Sequence, residues 1–212
     1  MTVNRDRVIR AALELLDEVG LDGLTLRKLA AKLDVQAPTL YWHVKNKAAL
    51  LDEMATTMLR DMPPPEAPPG ELPWQDWITR MATGHRAALL RYRDGAKVFS
   101  GTYITDDTLL SRLEAPLAVL VDAGFTPVDA ARAWGLVNSY VVGFTIEEQA
   151  VRPTPGQQDA RYASDTRAAR LDTSRYPLTH QAGPVLHQGF DERFAFGLRV
   201  LLAGLERELD AP

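Results

Sequence analysis

The residues whose types could do chemistry are concentrated between positions 25 and 47. Polar, basic and aromatic side chains share this stretch: Thr25, Arg27, Gln36, Ala37, Pro38, Thr39, Tyr41, Trp42, His43 and Lys47. Guanidinium, amide and hydroxyl groups form hydrogen bonds with base edges, while basic side chains and helix N-termini bind phosphates. The composition of this stretch therefore fits contacts with double-stranded DNA, and inert packing of a helix-turn-helix is the alternative at this point.

Packing is the alternative role for the two aromatic residues. Tyr41 and Trp42 are neighbours in the sequence, and neighbours on a helix point about 100° apart, so they cannot both face a core. We expect at least one of them on the surface or against a phosphate.

Catalytic chemistry finds little support in the rest of the sequence. The chain has no cysteine, and it lacks a phosphate-binding glycine loop, a Gly-x-Ser-x-Gly motif and a His-Glu-x-x-His motif. Glu147 and Glu148 are helix neighbours that point in different directions, and His180 and His187 lack a metal-ligand spacing. We therefore predict no enzyme activity, no metal site and no cofactor.

The spacing of apolar residues predicts the elements that hold these side chains. A helix over 26–33 capped by Thr25, a tight turn at 34–35 and a short helix over 38–43 form a helix-turn-helix. Further helices are predicted over 5–19, 47–61, 74–93, 109–123, 127–150 and 187–209. Strand alternation is absent, so the predicted fold class is all-α, with an N-terminal three-helix DNA-binding domain and a larger helical domain.

Proline marks the expected domain boundary. Six of the eleven residues in 63–73 are proline, which predicts a stiff linker between a domain over 1–62 and a domain over 74–212. Residues 152–183 are polar and rich in Gly, Pro, Asp, Gln and Ser, which predicts a mobile loop with at most one short helix over 165–171.

Charge and hydropathy narrow the choice of partners. The 212 residues carry a net charge of −4, but residues 1–50 hold eight basic and six acidic side chains, so a polyanion would meet this end first. The sequence contains no run of the ~18 apolar residues that a membrane span needs, and its first residues lack an apolar signal core. We therefore expect a cytoplasmic protein without a membrane partner.

Four motifs mark residues 5–60: Ala11-Ala-Leu-Glu-Leu-Leu, Gly23-Leu-Thr, Arg27-Lys-Leu-Ala and Pro38-Thr-Leu-Tyr-Trp-His-Val-Lys-Asn-Lys. They resemble the DNA-binding domain of the tetracycline-repressor (TetR) family of bacterial regulators. Three later motifs resemble the effector domain of the tetracycline repressors: Ala88-Leu-Leu-Arg-Tyr-Arg-Asp-Gly-Ala-Lys-Val, Gly143 with Glu147, and Phe196-Gly-Leu. The resemblance covers nearly the whole chain and weakens in the linker and in residues 152–183.

The resemblance implies that the residues between positions 25 and 47 bind an operator. Arg27 would read a guanine or contact a phosphate, and Pro38 and Thr39 would meet a thymine methyl or a nearby phosphate. Three side chains would fix register on the DNA backbone: Tyr41, His43 and Lys47. The tetracycline repressors have an acidic residue at Gln36 and a longer amide side chain at Ala37, so we expect a different operator sequence.

The expected ligand pocket also departs from that of the tetracycline repressors. The resemblance implies a histidine that ligates magnesium on the helix after the Arg-Asp-Gly-Ala-Lys-Val motif, where this chain has Phe99. A hydrocarbon ring cannot ligate a metal, so we expect no tetracycline–magnesium chelate bound in the family manner. The residues placed around the ligand are Met81, His85, Phe99, Thr102, Tyr103, Leu113, Pro116, Ala131, Trp134, Asn138 and Glu147. They suit a flat, largely apolar multi-ring small-molecule effector, with His85, Asn138 and Glu147 as polar handles.

Operator recognition predicts a homodimer. One helix-turn-helix offers few base contacts, each worth about 1 to 3 kcal/mol, so specific binding needs two of them on a palindromic site. The helices at 127–150 and 187–209 are the predicted interface, with Gly197 and Gly204 allowing close approach. The alternative function is a helical carrier or sequestering protein for hydrophobic small molecules without operator recognition.

Overall fold

A computed structural model describes residues 4–64, 68, 70–154, 157–163 and 171–209. The α-helices in these ranges are α1 (Arg5–Gly23), α2 (Leu26–Lys32), α3 (Ala37–Tyr41), α4 (Lys47–Arg60), α5 (Trp74–Leu90), α6 (Gly95–Phe99), α7 (Leu110–Asp122), α8 (Pro127–Val151), α9 (Pro177–His187) and α10 (Phe190–Leu209). The same ranges contain no β-strand beyond an isolated bridge, so the all-α prediction is confirmed. Among the residues described, no helix has the length and apolarity needed to cross a membrane.

The first four helices, which we call the head, enclose one hydrophobic core. Its fully buried members include Leu16 of α1, Leu29 of α2, Leu40 of α3 and Leu50 of α4. The first helix, predicted over 5–19, continues in the structure through a kink at Gly20, where φ is 69°, into one more short turn. Leucines from all four helices therefore fix the position of the short helix α3 in the head.

Local signals set the bounds of the helix-turn-helix. The Thr25 hydroxyl accepts a 3.2 Å hydrogen bond from the Lys28 N–H, which confirms the predicted cap of α2. Asp34 adopts a left-handed φ of 54° in the turn, a conformation that Asp tolerates better than most residues. Asn46 caps α4 by accepting a hydrogen bond from the Ala49 N–H. These caps leave α3 only five residues long.

The remaining helices, which we call the body, enclose a second core built mainly from α5, α7, α8 and α10. Arg86 of α5 donates two 2.8 Å hydrogen bonds to Glu148 of α8 and one of 2.7 Å to Asp191 of α10. The Arg86 and Glu148 side chains are only 9% and 6% exposed. A charge in this position needs its partner, so the pair fixes α5 against α8.

The predicted loop over 152–183 is wrong in its last part. Helix α9 begins at Pro177, inside that range, because proline suits the first position of a helix. Most of the predicted helix over 165–171 lies outside the described residues. The last helix begins at Phe190 and not at 187, because Gly189 takes a left-handed φ of 59° just before it.

The role predicted for Gly197 is also corrected. The Tyr140 hydroxyl of α8 lies over this glycine and donates hydrogen bonds to the carbonyls of Phe194 (3.0 Å) and Arg193 (3.3 Å). A Cβ at Gly197 would clash with the Tyr140 hydroxyl. The close approach that Gly197 permits is therefore between α8 and α10 of one subunit, whereas Gly204 faces open space.

Candidate nucleic-acid interface and ligand pocket

Helix α3 and the residue after it present the predicted DNA contacts to the surface. Trp42 is 89% exposed and Tyr41 is 56% exposed, so both aromatic side chains, and not just one, point away from the core. The neighbouring predicted contacts are exposed or half-buried: Gln36, Ala37, Pro38, Thr39 and His43. Amphipathic aromatic rings exposed on a small surface are typical of contact sites.

Basic side chains lie on the helices that flank α3. Arg27 is exposed on the first turn of α2, and Lys47 is the first residue of α4. The Lys47 ammonium group donates a 3.0 Å hydrogen bond to the Leu21 carbonyl, so it joins the end of α1 to the start of α4. Thr25 uses its hydroxyl to cap α2. The Ala49 N–H of α4 is already bonded to the Asn46 side chain, and the N-terminus of such a helix favours an anion.

A pocket of about 540 Å³ lies between α8 and residues 99–104. Its lining residues are Phe99, Ser100, Gly101, Thr102, Ile104, Asn138, Ser139, Val142, Gly143 and Ile146. The five residues from α8 recur at helical spacing and form one side of that helix. Hydroxyl and amide groups, one aromatic ring and two glycines in this lining can hold a flat molecule with few polar groups.

Three of the predicted ligand residues line this pocket: Phe99, Thr102 and Asn138. On α8 the sequence predicted that Ala131, Trp134 and Asn138 contact the ligand. In the structure the α8 residues that line the pocket begin at Asn138 and extend toward the C-terminus as far as Ile146. Four of the missed residues lie with Asn138 on one side of α8, namely Ser139, Val142, Gly143 and Ile146, and the other three, Ser100, Gly101 and Ile104, are sequence neighbours of Phe99 and Thr102.

The other eight predicted ligand residues lie outside this lining. Three are buried in the body, namely Met81, His85 and Pro116, and Trp134 is half-buried against the body core. Four are exposed, namely Tyr103, Leu113, Ala131 and Glu147. His85 is adjacent to the pocket wall, because its ring packs edge-on against Phe99 with centroids 4.9 Å apart.

Helix α4 is bonded to the connecting segment, by which we mean residues 100–106. Three α4 side chains, each four residues from the next, make these bonds: Asp52 to the Tyr103 N–H (2.9 Å), Thr56 to the Thr105 N–H (3.0 Å) and Arg60 to the Asp106 carboxylate (2.8 Å). Hydrogen bonds from Thr108 and Arg60 lower the pKa of Asp106 to about 2. One side of α4 is thus fixed to a segment that also lines the pocket.

Helix α6 and the turn before it also contact the head. Val98 of α6 is fully buried in the head core. The Asp94 carboxylate accepts a 3.0 Å hydrogen bond from the Leu21 N–H, and the Arg93 N–H donates one of 2.8 Å to Asp17. Because Phe99 ends α6 and lines the pocket, this five-residue helix belongs to both parts of the molecule.

Helices α8 and α10 carry exposed apolar side chains. Val128 and Leu136 of α8, and Phe196 and Val200 of α10, are each between 46% and 60% exposed. Exposed apolar side chains of this size are typical of surfaces that bind other proteins.

Comparison with known proteins accounts for both parts of the chain. Residues 8–54 match the family described as bacterial regulatory proteins, tetR family, and residues 65–209 match the tetracyclin repressor-like C-terminal domain. The class D tetracycline repressor protein of Escherichia coli is 40% identical over 210 residues, which are 99% of this chain and 92% of the relative.

Solved structures agree with these matches. A possible TetR family transcriptional regulator from Streptomyces coelicolor A3(2) is 40% identical with a TM-score of 0.85, over 96% of this chain and 99% of that one. The TetR family protein ActR of Streptomyces coelicolor, solved in complex with actinorhodin, is 26% identical with a TM-score of 0.82 over 100% of both chains. Members of this family are regulators and not enzymes. The chain belongs to the TetR family of ligand-responsive transcriptional repressors.

Proposed function

We propose that this repressor is a cytoplasmic homodimer that binds a palindromic operator and is released by a largely apolar multi-ring small molecule. The observation that best supports the proposal is the double attachment of α6, whose Val98 lies in the head core while Phe99 lines the pocket. A ligand that binds against Phe99 therefore contacts the same short helix whose Val98 packs in the head core. The proposal keeps the division into residues 1–62, 63–73 and 74–212, with α6 as the contact between the two domains.

The exposed surface of α3 is the part proposed to enter the major groove. Its outward side chains include an amide at Gln36 and a methyl group at Ala37, which can pair with adenine and with a thymine methyl respectively. Arg27 from α2 would add a bidentate contact to guanine, and exposed Trp42 would lie against the DNA backbone. These contacts would distinguish the operator from that of the tetracycline repressors.

The exposed apolar side chains of α8 and α10 are the proposed dimer interface. Two helices from each subunit would form a four-helix arrangement across a two-fold axis. Gly204 on α10 has open space around it, so a partner helix could approach closely there. Such a dimer presents two copies of α3 to successive major grooves.

The proposed effector is a flat multi-ring compound. A pocket of about 540 Å³ is the size that a drug-sized ligand needs, and Phe99 offers a ring to stack on. ActR, which is similar to this chain over its full length, was solved in complex with actinorhodin. This similarity supports a small-molecule effector for this chain.

Release would follow from displacement of the connecting segment. A ligand that moves residues 99–104 would shift the bonds to Asp52 and Thr56, and so turn α4 together with the head. The separation of the two heads would no longer match the operator. Linkage requires that operator DNA weaken ligand binding by the same factor.

Selection from a random duplex library tests this function. The repressor should enrich a palindromic sequence and bind it much more tightly than random DNA at matched physiological salt. Trp42→Ala should weaken operator binding about tenfold or more, and Arg27→Ala should reduce discrimination between sequences. Tyr176→Ala, which removes an exposed aromatic residue beside α9, is the matched control and should bind normally. Binding that remains equal for selected and random DNA would favour the carrier function instead.

A further inference from the structure

His85 is a buried imidazole, and one of its two ring nitrogens has no hydrogen-bond partner in the described part of the chain. The residue is only 5% exposed, and its Nε2 atom makes no hydrogen bond among the residues that the structure describes. Burial lowers the pKa of His85 to about 4, so the ring is neutral at physiological pH. A buried polar atom without a partner costs free energy, and a ligand that bonds it recovers that cost.

Phe99 contacts both this imidazole and the pocket. The two rings meet edge to face, at an interplanar angle of 83°, and Phe99 itself lines the cavity. Phe99 is the last residue of α6, and the chain turns to an extended conformation at Ser100. Rotation of the Phe99 ring at this helix end would open a path from the cavity to His85 without breaking the helix.

The pocket does not fit the magnesium chelate that the tetracycline repressors imply. The residues described as lining it include hydroxyl and amide groups but neither a carboxylate nor an imidazole. Protein sites for Mg²⁺ use one or two carboxylates, and Glu147 is exposed next to the lining residue Ile146 without itself lining the pocket. A dication here would meet little compensating charge.

We propose that the effector binds as a free, hydroxyl-bearing fused-ring compound, without a divalent cation, and that its hydroxyl group bonds Nε2 of His85 once the Phe99 ring has turned aside. A hydroxyl group suits this position because it both donates and accepts, and so matches either tautomer of the neutral imidazole. Asn138, on the opposite side of the pocket from Phe99, supplies a second polar group for a carbonyl or hydroxyl of the same ligand. The inference rests on the proposed function, because it takes this pocket as the effector site.

The experiment compares two probes, a dihydroxyanthraquinone and unsubstituted anthraquinone. Affinities for the full-length repressor are measured by calorimetry, each with excess magnesium and with EDTA. We expect the hydroxylated probe to bind about tenfold more tightly, which is 1.4 kcal/mol, and magnesium to make no difference. His85→Phe, which keeps an aromatic ring of similar size, should abolish the preference, whereas His85→Gln should retain part of it. In nitrogen NMR spectra of the wild type, the Nε2 resonance should shift only with the hydroxylated probe.

Several results would overturn the inference. These are equal affinities for the two probes, binding of neither, a requirement for magnesium, or an unchanged hydroxyl preference in a folded His85→Phe variant. Thermal unfolding checks that each variant is folded. If His85→Phe does not fold, the affinity of His85→Gln for the two probes and the NMR shift of Nε2 in the wild type test the hydrogen bond to His85. None of these measurements uses DNA. Failure to find a specific operator would therefore refute the proposed function, but it would not affect the measured role of His85 in ligand binding.

Discussion

Replacement of Thr56 by valine should weaken the coupling between the pocket and the head. Thr56 is 1% exposed, and its hydroxyl accepts a 3.0 Å hydrogen bond from the Thr105 N–H and lies 3.2 Å from the Thr105 hydroxyl. Valine keeps the shape of the side chain and removes both contacts, together with the 2.8 Å hydrogen bond that the Thr56 hydroxyl donates to the Asp52 carbonyl. The neighbouring Arg60 pair is on the surface and contributes little, so Thr56 should carry a large share of the coupling.

The expected size follows from these contacts. A net hydrogen bond is worth about 1 kcal/mol, which corresponds to about a fivefold change in an equilibrium constant. Allosteric coupling is typically about 1 to 3 kcal/mol, so Thr56→Val should remove a third or more of it. The effect of the ligand on operator affinity should therefore fall about fivefold, while binding of either partner alone should change little.

Fluorescence anisotropy with the selected operator measures this coupling as the ratio of Kd values with and without a saturating ligand. The ligand is a fused-ring compound chosen because it raises the unfolding temperature. Thr145→Val on α8 is the matched control, since Thr145 is equally buried and its hydroxyl also bonds the carbonyl four residues earlier. An unchanged ratio in Thr56→Val, with both separate affinities intact, would show that the connecting segment does not transmit the signal.

Three further predictions concern stability and assembly. Arg86→Met should lower the free energy of unfolding by about 3 to 5 kcal/mol because it leaves buried Glu148 unpaired, and adding Glu148→Leu should recover most of this loss in urea titrations. Val200→Glu should convert the dimer to monomers in analytical ultracentrifugation without changing the helix content, and a persistent dimer would place the interface elsewhere. Because the pKa of His85 falls from 6.5 to about 4 on folding, the unfolded chain binds more protons between these values, so stability should drop by up to about 3 kcal/mol as the pH falls through this window. His85→Phe should lack that part of the pH dependence in the same titrations.

The sequence predicted the elements that depend on local signals. The cap at Thr25 and the turn at Asp34 both lie where the chain changes direction, and each acts within a few residues. The exposure of the side chains on α3 was also predictable from local spacing. Leu40 and Val44 are buried, so the side chains between them point to the solvent.

Contacts between residues that are far apart in the sequence could not be predicted from local signals. Tyr140 packs over Gly197, 57 positions away, and only the crossing of α8 and α10 shows that this glycine serves the interior of one subunit. The pocket lining was missed in the same way, because the side of α8 that faces it depends on where α6 lies. Apolar spacing on α8 could not select that side, since apolar residues occur nearly all around this helix.

The weakness of α6 as a helix explains why a small ligand could move it. Five residues form few internal hydrogen bonds, and Asp94 at the N-cap has a left-handed φ of 55° and makes no capping bond. The position of α6 depends on outside contacts instead: the Ala96 N–H donates to Gln149 of α8, and Val98 inserts into the head core. A ligand that shifts α6 must offset contacts of both kinds, a hydrogen bond worth about 1 kcal/mol and a buried valine worth about 1.5 to 3 kcal/mol. A binding free energy of several kcal/mol is therefore the size needed to shift α6, and with it the head.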